Sequence, residues 1–120
     1  MPGPVHPATV DISFVEVMHA LADPVRLEIV SRLDRQGEES CGTCGDGIDL
    51  HKSTLSHHYR VLRESGVTTT RVDGRQRLVC LRRDDLNGRF PGLLDAVLAA
   101  ISPAGAAPVD AARVPAAPRA

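Results

Sequence analysis

Aromatic side chains are almost absent from this chain of 120 residues, which contains two phenylalanines, one tyrosine and no tryptophan. Its core must therefore be built from aliphatic side chains. Small packed helices suit such a core better than a β-sandwich, whose strands draw on aromatic and β-branched residues. The length corresponds to one domain. The chain is 42% hydrophobic and 24% charged, which is normal for a globular protein with a modest core.

Both ends of the chain are poor in large apolar side chains. Residues 1–8 contain three prolines, and residues 102–120 contain eight alanines and four prolines. Such segments bury too little surface to offset the entropy that they lose on ordering. We therefore predict a flexible arm over 1–8, one folded domain over 9–101 and a disordered tail over 102–120.

The N-terminal part of the predicted domain shows helical periodicity. A first helix is indicated by apolar residues that recur at helical spacing, namely Val15, Met18, Leu21 and Ala22. Asp23 can cap a second helix and Pro24 suits its first position, so one helix should stop and the next begin at this pair. The second helix should end near Gln36-Gly37. The glycine-rich segment 37–49 is predicted to be a loop, with at most a short turn of helix before Leu50.

The next predicted helix has one apolar and one polar side. Ser53 is a capping residue and Gly66 suits a left-handed C-terminal cap, which places the helix between them. Its apolar side carries Leu55, His58, Tyr59 and Leu62. Its opposite side presents short hydrogen-bonding groups and a guanidinium, those of Ser53, Ser56, His57 and Arg60.

Two β-rich runs, 67–72 and 76–81, follow that helix. Asp73-Gly74 lies between them and is a strong hairpin signal. The domain then closes with an amphipathic helix whose apolar residues are spaced by three and four: Phe90, Leu93, Leu94, Val97, Leu98 and Ile101.

Charge is distributed unevenly along the chain, although the net charge is only −1. Residues 51–83 contain eight basic and two acidic side chains, so this third carries +6 and the remainder −7. Such asymmetry favours an anionic partner for one region, although a solvated charged face would give the same pattern.

Together these elements describe a winged helix-turn-helix of order α-α-α-α-β-β-α, mainly helical with a small β-hairpin. A helix that enters the major groove needs short donors and acceptors, with Arg or Lys at its margins. Arginines around a hairpin turn can reach the flanking backbone or the minor groove. The predicted contacts to double-stranded DNA are Lys52, Ser53, Thr54, Ser56, His57, Arg60, Arg71, Arg75 and Arg77.

Two runs of residues resemble one family of regulators. LADPVRLEIVSRL over 21–33 is similar to the L-x-D-P-x-R-L-x-I-L-x-x-L signature of ArsR-type winged-helix regulators. SHHYRVLRESGV over 56–67 is similar to their recognition helix, S-x-H-L-x-x-L-R-x-x-G-L, with Tyr59 in place of the usual leucine. The resemblance covers about residues 12–101.

The resemblance implies a homodimeric, cytoplasmic transcriptional repressor that binds an inverted repeat and is released by an effector. It also implies a dimer interface formed by the first and last helices, about 12–22 and 91–101. Burial within a single chain would give the last helix the same apolar pattern. The candidate interface residues are Val15, Met18, Phe90, Leu94, Val97, Leu98 and Ile101.

The effector has three alternative interpretations, all resting on Cys41 and Cys44 in the glycine-rich loop. The two thiolates could bind a zinc, nickel, cadmium or arsenic(III) ion, with Asp46, Asp49 or His51 completing the site. They could instead oxidise to a small disulfide and displace the recognition helix. They could also be free thiols without a regulatory role, since one C-x-x-C is a weak signal and its spacing departs from the family's C-x-C-D pattern.

Other functions and locations are disfavoured by the sequence. An enzyme would need a nucleophile beside a base, paired acids in a cleft or a phosphate-binding loop, and none stands out. A winged-helix interaction module without DNA binding stays open, because fold alone does not fix function. Three cysteines, no long apolar run and no signal-like N-terminus favour a cytoplasmic protein without a membrane partner.

Overall fold

The structure, a computed structural model, describes residues 5–40 and 47–101. A 3₁₀ turn over Thr9–Asp11 precedes the regular elements. In chain order these are α1 (Phe14–Leu21), α2 (Pro24–Gln36), β1 (Glu39–Ser40), α3 (Lys52–Ser65), β2 (Thr68–Asp73), β3 (Gln76–Leu81), α4 (Arg83–Arg89) and α5 (Leu93–Ile101).

The boundary between α1 and α2 lies where the sequence predicts it. Asp23 Oδ2 accepts hydrogen bonds from the backbone N–H of Val25 at 2.9 Å and of Arg26 at 3.1 Å, while Pro24 occupies the first turn. These contacts satisfy two of the four donors that a helix leaves open at its start. Gly37 ends α2 with a φ of 80°, so the predicted end near Gln36-Gly37 is confirmed.

Gly66 joins α3 to β2 and is constrained in two ways. Its φ of 94° is left-handed, and its N–H and that of Val67 bond back to the last turn of α3. A Cβ at this position would lie 2.6 Å from Cγ1 of Ile12, which is closer than real contacts allow. The predicted glycine cap is confirmed, and its close packing with Ile12 also fixes the segment before α1.

The sheet has three antiparallel strands in the order β1-β3-β2. The predicted hairpin is present, with Asp73 opposite Gln76 and a two-residue turn, Gly74-Arg75, between them. Among the described residues only glycines have positive φ, and Gly74 has 62°, so the turn is of the type with glycine first.

Strand β1 corrects the prediction of a loop over all of residues 37–49. Glu39 pairs with Val79 and Ser40 with Leu78. The strand is only two residues long, too short to give a periodic signal, and it exists because β3 offers it a free edge.

The core lies between α1, α2, α3 and the inner face of the sheet, and α4 and α5 close it. Tyr59 and Leu62 of α3 are buried in it, as predicted. The buried apolar residues are almost all aliphatic: Ile12, Val17, Ala20, Leu21, Ile29, Val30, Leu33, Val67, Val79, Leu86 and Leu94. The expectation of a helical fold with an aliphatic core is confirmed.

The C-terminal region contains two helices where the sequence predicts one. Helix α4 is a separate short helix, and Gly92, with a φ of 85°, lies between it and α5. Its sequence, RDDLNGR, has a single buried apolar residue, Leu86, and therefore no amphipathic pattern. The predicted short helix before Leu50 falls partly outside the described residues, and residues 47–51 are not helical.

Residues 5–8, part of the predicted flexible arm, lie against the domain. His6 Nε2 accepts a hydrogen bond from the N–H of Thr70 at 2.8 Å. The carbonyl of Pro7 accepts one from Arg82 Nη1, also at 2.8 Å. Residues 1–4 and the predicted tail, 102–120, lie outside the described residues. Within the described ranges, no helix has the length and apolar character to cross a bilayer.

Replacing Gly66 with alanine should destabilise the protein more than the same change at Gly37. Both glycines have a positive φ, but the space around Gly37 is open, whereas the new methyl group at Gly66 would collide with Ile12. We expect Gly66→Ala to cost about 1–3 kcal/mol more than Gly37→Ala in urea denaturation, the usual range for overpacking a core. Equal losses for the two variants would contradict this account of the contact.

Candidate nucleic-acid interface

Helix α3 presents the predicted polar edge to solvent. Tyr59, Leu62 and Ser65 are buried on the other side of the helix. The residues predicted to contact DNA from this helix are all exposed: Lys52, Ser53, Thr54, Ser56, His57 and Arg60. Arg60 Nη2 lies 3.5 Å from His57 Nδ1, so a guanidinium and an imidazole stand together in the middle of the exposed edge.

The helix begins two residues earlier than predicted. Leu55 N–H bonds to the carbonyl of His51 at 3.0 Å, which makes His51 the N-cap, and its side chain makes no capping hydrogen bond. The prediction that Ser53 caps the helix is therefore wrong. Ser53 lies in the first turn, where its exposed side chain belongs to the polar edge.

His58 is the only half-buried histidine of α3, and it faces Arg26 of α2. Arg26 Nη1 lies 3.0 Å from His58 Nδ1. Because arginine only donates hydrogen bonds, Nδ1 must accept, and the imidazole is neutral in this arrangement. Burial lowers the pKa of His58; nearby Asp23 opposes this shift, while the charges of Arg26 and His57 add to it.

The wing formed by β2 and β3 carries the three predicted arginines, and all are exposed. Arg75 lies in the turn, and Arg77 lies opposite Val72 near the tip. Arg71 differs from both. It alternates with the buried Thr70, so it lies on the face of the sheet turned away from the core.

A carboxylate engages Arg71. Arg71 Nε and Nη2 each donate a hydrogen bond to one carboxylate oxygen of Glu38 at 2.9 Å, which is a bidentate geometry. The hydrogen bonds lower the pKa of Glu38 and raise that of Arg71. The predicted set of wing contacts therefore divides into two arginines near the tip and one that bridges the wing to the segment before β1.

The predicted effector site lies largely outside the described residues, because these exclude Cys41, Cys44 and Asp46. His51 and Asp49 are described and exposed. Within residues 5–40 and 47–101, no group of three or more histidine, cysteine or acidic side chains is placed to hold a metal. Cys80 is half-buried on β3, with Sγ 3.6 Å from the carbonyl of Leu81.

Part of the predicted dimer interface is an exposed apolar surface on α1. Val15 is 73% and Met18 39% exposed, because the core side of α1 is formed by other residues, Val17, Ala20 and Leu21. Val15, Met18 and Leu21 recur at helical spacing, and only Leu21 of the three is buried in the core.

An aromatic pair extends this surface toward the C-terminal helices. Phe14 is 51% exposed and packs edge-on against Phe90 with 5.4 Å between the ring centroids. Sequence reasoning missed Phe14, although an aromatic residue in the first turn of an amphipathic helix was an available signal. The other predicted residues, Val97, Leu98 and Ile101, are half-buried. The structure corrects the predicted place of Leu94 in the dimer interface, because this residue is 2% exposed and belongs to the core of its own chain.

Sequence reasoning also missed Arg26 and Glu38 as residues that organise the interface. Arg26 carried a signal, since it is the arginine of the motif over residues 21–33. Glu38 carried none, because its role depends on the position of Arg71, which is 33 residues away in the chain.

Comparisons with known proteins agree with this geometry. Residues 21–71 match a family described as a helix-turn-helix domain. An uncharacterized HTH-type transcriptional regulator of Bacillus subtilis, YceK, is 41% identical over 81 residues, which are 67% of this chain and 81% of the relative. The crystal structure of an ArsR family transcriptional regulator, RHA00566, superposes with a TM-score of 0.58 at 26% identity, covering 71% of this chain and 87% of that one.

The chain belongs to the ArsR family of winged helix-turn-helix regulators. A second solved structure, the transcriptional repressor BigR from Xylella fastidiosa, is 31% identical with a TM-score of 0.56, covering 71% of this chain and 82% of that one. As an ArsR-family member, the protein is a DNA-binding transcriptional regulator.

Arg71→Ala should affect DNA binding by this ArsR-family protein much less than Arg75→Ala does. A phosphate contact contributes about one unit to the slope of log K against log salt concentration. We expect that slope to stay unchanged in Arg71→Ala and to fall by about one unit in Arg75→Ala, measured by fluorescence anisotropy over a salt series. An equal fall in both variants would show that Arg71 contacts phosphate in spite of Glu38.

Proposed function

We propose that this regulator binds an inverted-repeat operator as a homodimer and represses transcription, with α3 inserted in the major groove. One observation carries the proposal: the edge of α3 that is rich in short polar side chains is exposed, while its apolar edge is buried. A helix with this division of residues can approach base edges without exposing its own core. We propose a cytoplasmic localisation for this protein.

Each part of the exposed edge has a role that follows from its chemistry. Arg60 and His57 are the candidates for base contacts, since a guanidinium can bond two acceptors of guanine at once. Ser53, Thr54 and Ser56 are short enough to contact base edges or phosphates, and Lys52 suits a phosphate. At the wing tip, Arg75 and Arg77 would hold the flanking backbone.

The homodimer is supported by the apolar surface on α1. Val15 and Met18 lie on a short helix whose other side already contributes to the core. Phe14 extends the surface to Phe90, at the start of the segment that leads to α5. Contiguous exposed apolar surface of this kind is typical of a protein interface. A second copy related by a twofold axis would cover it and present two copies of α3 to two half-sites.

An effector acting through Cys41 and Cys44 is a further part of the proposal, as either a bound metal ion or a disulfide. Its support comes from the residues beside the cysteines. Strand β1 ends at Ser40, immediately before Cys41, and pairs with Leu78 and Val79 of the wing. A conformational change at the thiols would therefore displace β1, which is hydrogen-bonded to β3 of the wing.

Arg60→Ala should separate base recognition from general affinity. If Arg60 reads a guanine, its loss should weaken operator binding by about 1–3 kcal/mol and leave binding to random duplex nearly unchanged. Gel-shift titrations would use a duplex selected from a random pool and a scrambled duplex of the same composition. Arg35→Ala, which removes an exposed arginine from the far end of α2, is the matched control. A full inverted repeat should bind more tightly than one half-site if the protein acts as a dimer.

Two outcomes would contradict this assignment. Equal losses on operator and scrambled DNA would remove Arg60 from base recognition. Selection of no preferred duplex by the wild-type protein, at low salt and with its thiols reduced, would favour a winged-helix interaction module instead.

The thiol proposal predicts that Cys41→Ser/Cys44→Ser no longer responds to the effector. Operator binding would be measured for wild type and double mutant with zinc, nickel, cadmium, arsenite or peroxide added. We expect one of these to release the wild type and none to release the mutant, because serine neither binds soft metals well nor forms a disulfide. Cys80→Ser is the matched control, and release of the double mutant at the wild-type concentration would exclude the thiols as the sensor.

A further inference from the structure

Arg26 connects the end of α1 to the start of α2. Its side chain is only 7% exposed, unusually low for an arginine. Nε donates to the carbonyl of Ala20 at 2.6 Å, and Nη2 donates to the carbonyl of His19 at 3.3 Å. Both carbonyls lie in the last turn of α1, and that of His19 also accepts a bond from the N–H of Ala22 at 3.2 Å. Arg26 thus completes α1 and holds it to α2.

The third bond of the same guanidinium reaches α3. Nη1 donates to Nδ1 of His58 at 3.0 Å, across 32 residues of sequence. His58 follows His57 directly, so this contact lies on the buried side of the part of α3 that presents His57 and Arg60 to solvent. One buried side chain of α2 is therefore hydrogen-bonded to both α1 and α3.

The bonds of Arg26 are directional, unlike the apolar contacts around them. Aliphatic packing between α3 and the core tolerates small rotations and shifts of a helix, because burial depends on area and not on direction. A planar guanidinium with three fixed acceptors allows far less freedom. Leaving this buried cation with an unfilled donor is also costly, which favours the bonded arrangement.

We propose that Arg26 and His58 are a positioning pair that sets the orientation of the recognition helix relative to α1, and thereby the preference for operator over other DNA. This inference rests on the proposed insertion of α3 in the major groove. Because α1 carries the proposed dimer surface, the pair also fixes how the two copies of α3 face successive half-sites. Neither residue contacts DNA; both act through the placement of His57 and Arg60.

Acid should weaken this arrangement, since only a neutral His58 can accept the bond from Arg26. The charged groups around it are Asp23 and Arg26 from α2 and His57 on its own helix, while the side chain of His19 on α1 is exposed. Asp23 Oδ2 is 3.9 Å from Nδ1 and favours the protonated imidazole, whereas burial and the charge of Arg26 favour the neutral one. Burial has the largest effect and lowers the pKa of His58 in spite of Asp23. The contribution of the bond is complete above about pH 6.5 and is lost as the pH falls through the lowered pKa of the folded state.

The test compares three variants by the ratio of operator affinity to scrambled-duplex affinity. His58→Leu removes the acceptor. His58→Asn places a carbonyl oxygen where Nδ1 stands and does not titrate. His19→Asn is the matched control, because it removes a titrating but exposed imidazole and leaves the backbone carbonyl that Arg26 uses. Circular dichroism and thermal melting check that each variant is folded.

At pH 7.5 we expect the ratio for His58→Leu to fall about tenfold, the effect of losing one hydrogen bond to a charged group. The ratio for His58→Asn and for His19→Asn should stay within about threefold of wild type, and scrambled-duplex affinity should not change. Between pH 7.5 and 5.5 the wild-type ratio should fall toward that of His58→Leu, while His58→Asn should fall less. The comparison of wild type with His58→Asn decides the question even if His58→Leu does not fold.

Two results would overturn the positioning pair. One is a folded His58→Leu variant whose ratio of operator affinity to scrambled-duplex affinity equals that of the wild type. The other is a ratio that depends on pH in the same way in the wild type and in His58→Asn. Failure of the proposed DNA contact is distinguishable, because then the wild-type protein itself would show no preference for any selected duplex and Arg60→Ala would change nothing.

Discussion

Helix α3 packs one edge against the core and exposes the other to solvent, and the rest of the domain depends on this division. Tyr59 and Leu62 are buried in the aliphatic core, so the helix cannot rotate without exposing them. The same rotation would hide Ser56 and His57, which now face solvent. The hydrophobic effect therefore keeps the polar edge available by holding the opposite edge inside. Gly66 and Ile12 complete this constraint at the end of the helix, where their close packing leaves no room for a side chain on the glycine.

The basic character of residues 51–83 is reduced once the chain folds. Arg71 is paired with Glu38, Arg82 with Asp85 and Arg83 with Asp34. Each of these arginines ties together segments of the domain, and paired charges attract a phosphate backbone less than free ones. The exposed guanidiniums of Arg60, Arg75 and Arg77 then stand out as the groups that face outward near the recognition helix and the wing tip. A charge count identifies the region, but only the pairing shows which charges it leaves for DNA.

Local chemistry explains why much of this was predictable. The start of α2 is set by Asp23 and Pro24, and the end of α3 is set by Gly66. The capping hydrogen bonds there join groups only a few positions apart, so both boundaries lie where the sequence predicts them. The polar edge of α3 was predictable because a period of 3.6 residues sorts its side chains before any partner is known. Strand β1 and helix α4 were not, since β1 needs the edge of β3 to form and α4 has a single buried apolar residue. The N-cap of α3 at His51 in place of Ser53 shows the same limit at the scale of two residues.

The sequence by itself determined the winged helix-turn-helix and the identity of the polar edge, because periodicity, caps and turn residues are encoded in neighbouring positions. Tertiary structure alone decided the partners of distant charged groups, such as Arg26 with His58 and Arg71 with Glu38. It also decided that Leu94 belongs to the core while Val15 stays exposed. An amphipathic pattern says that a face will be buried, but what buries it depends on elements far away in the chain, whose positions are fixed only when the whole domain packs.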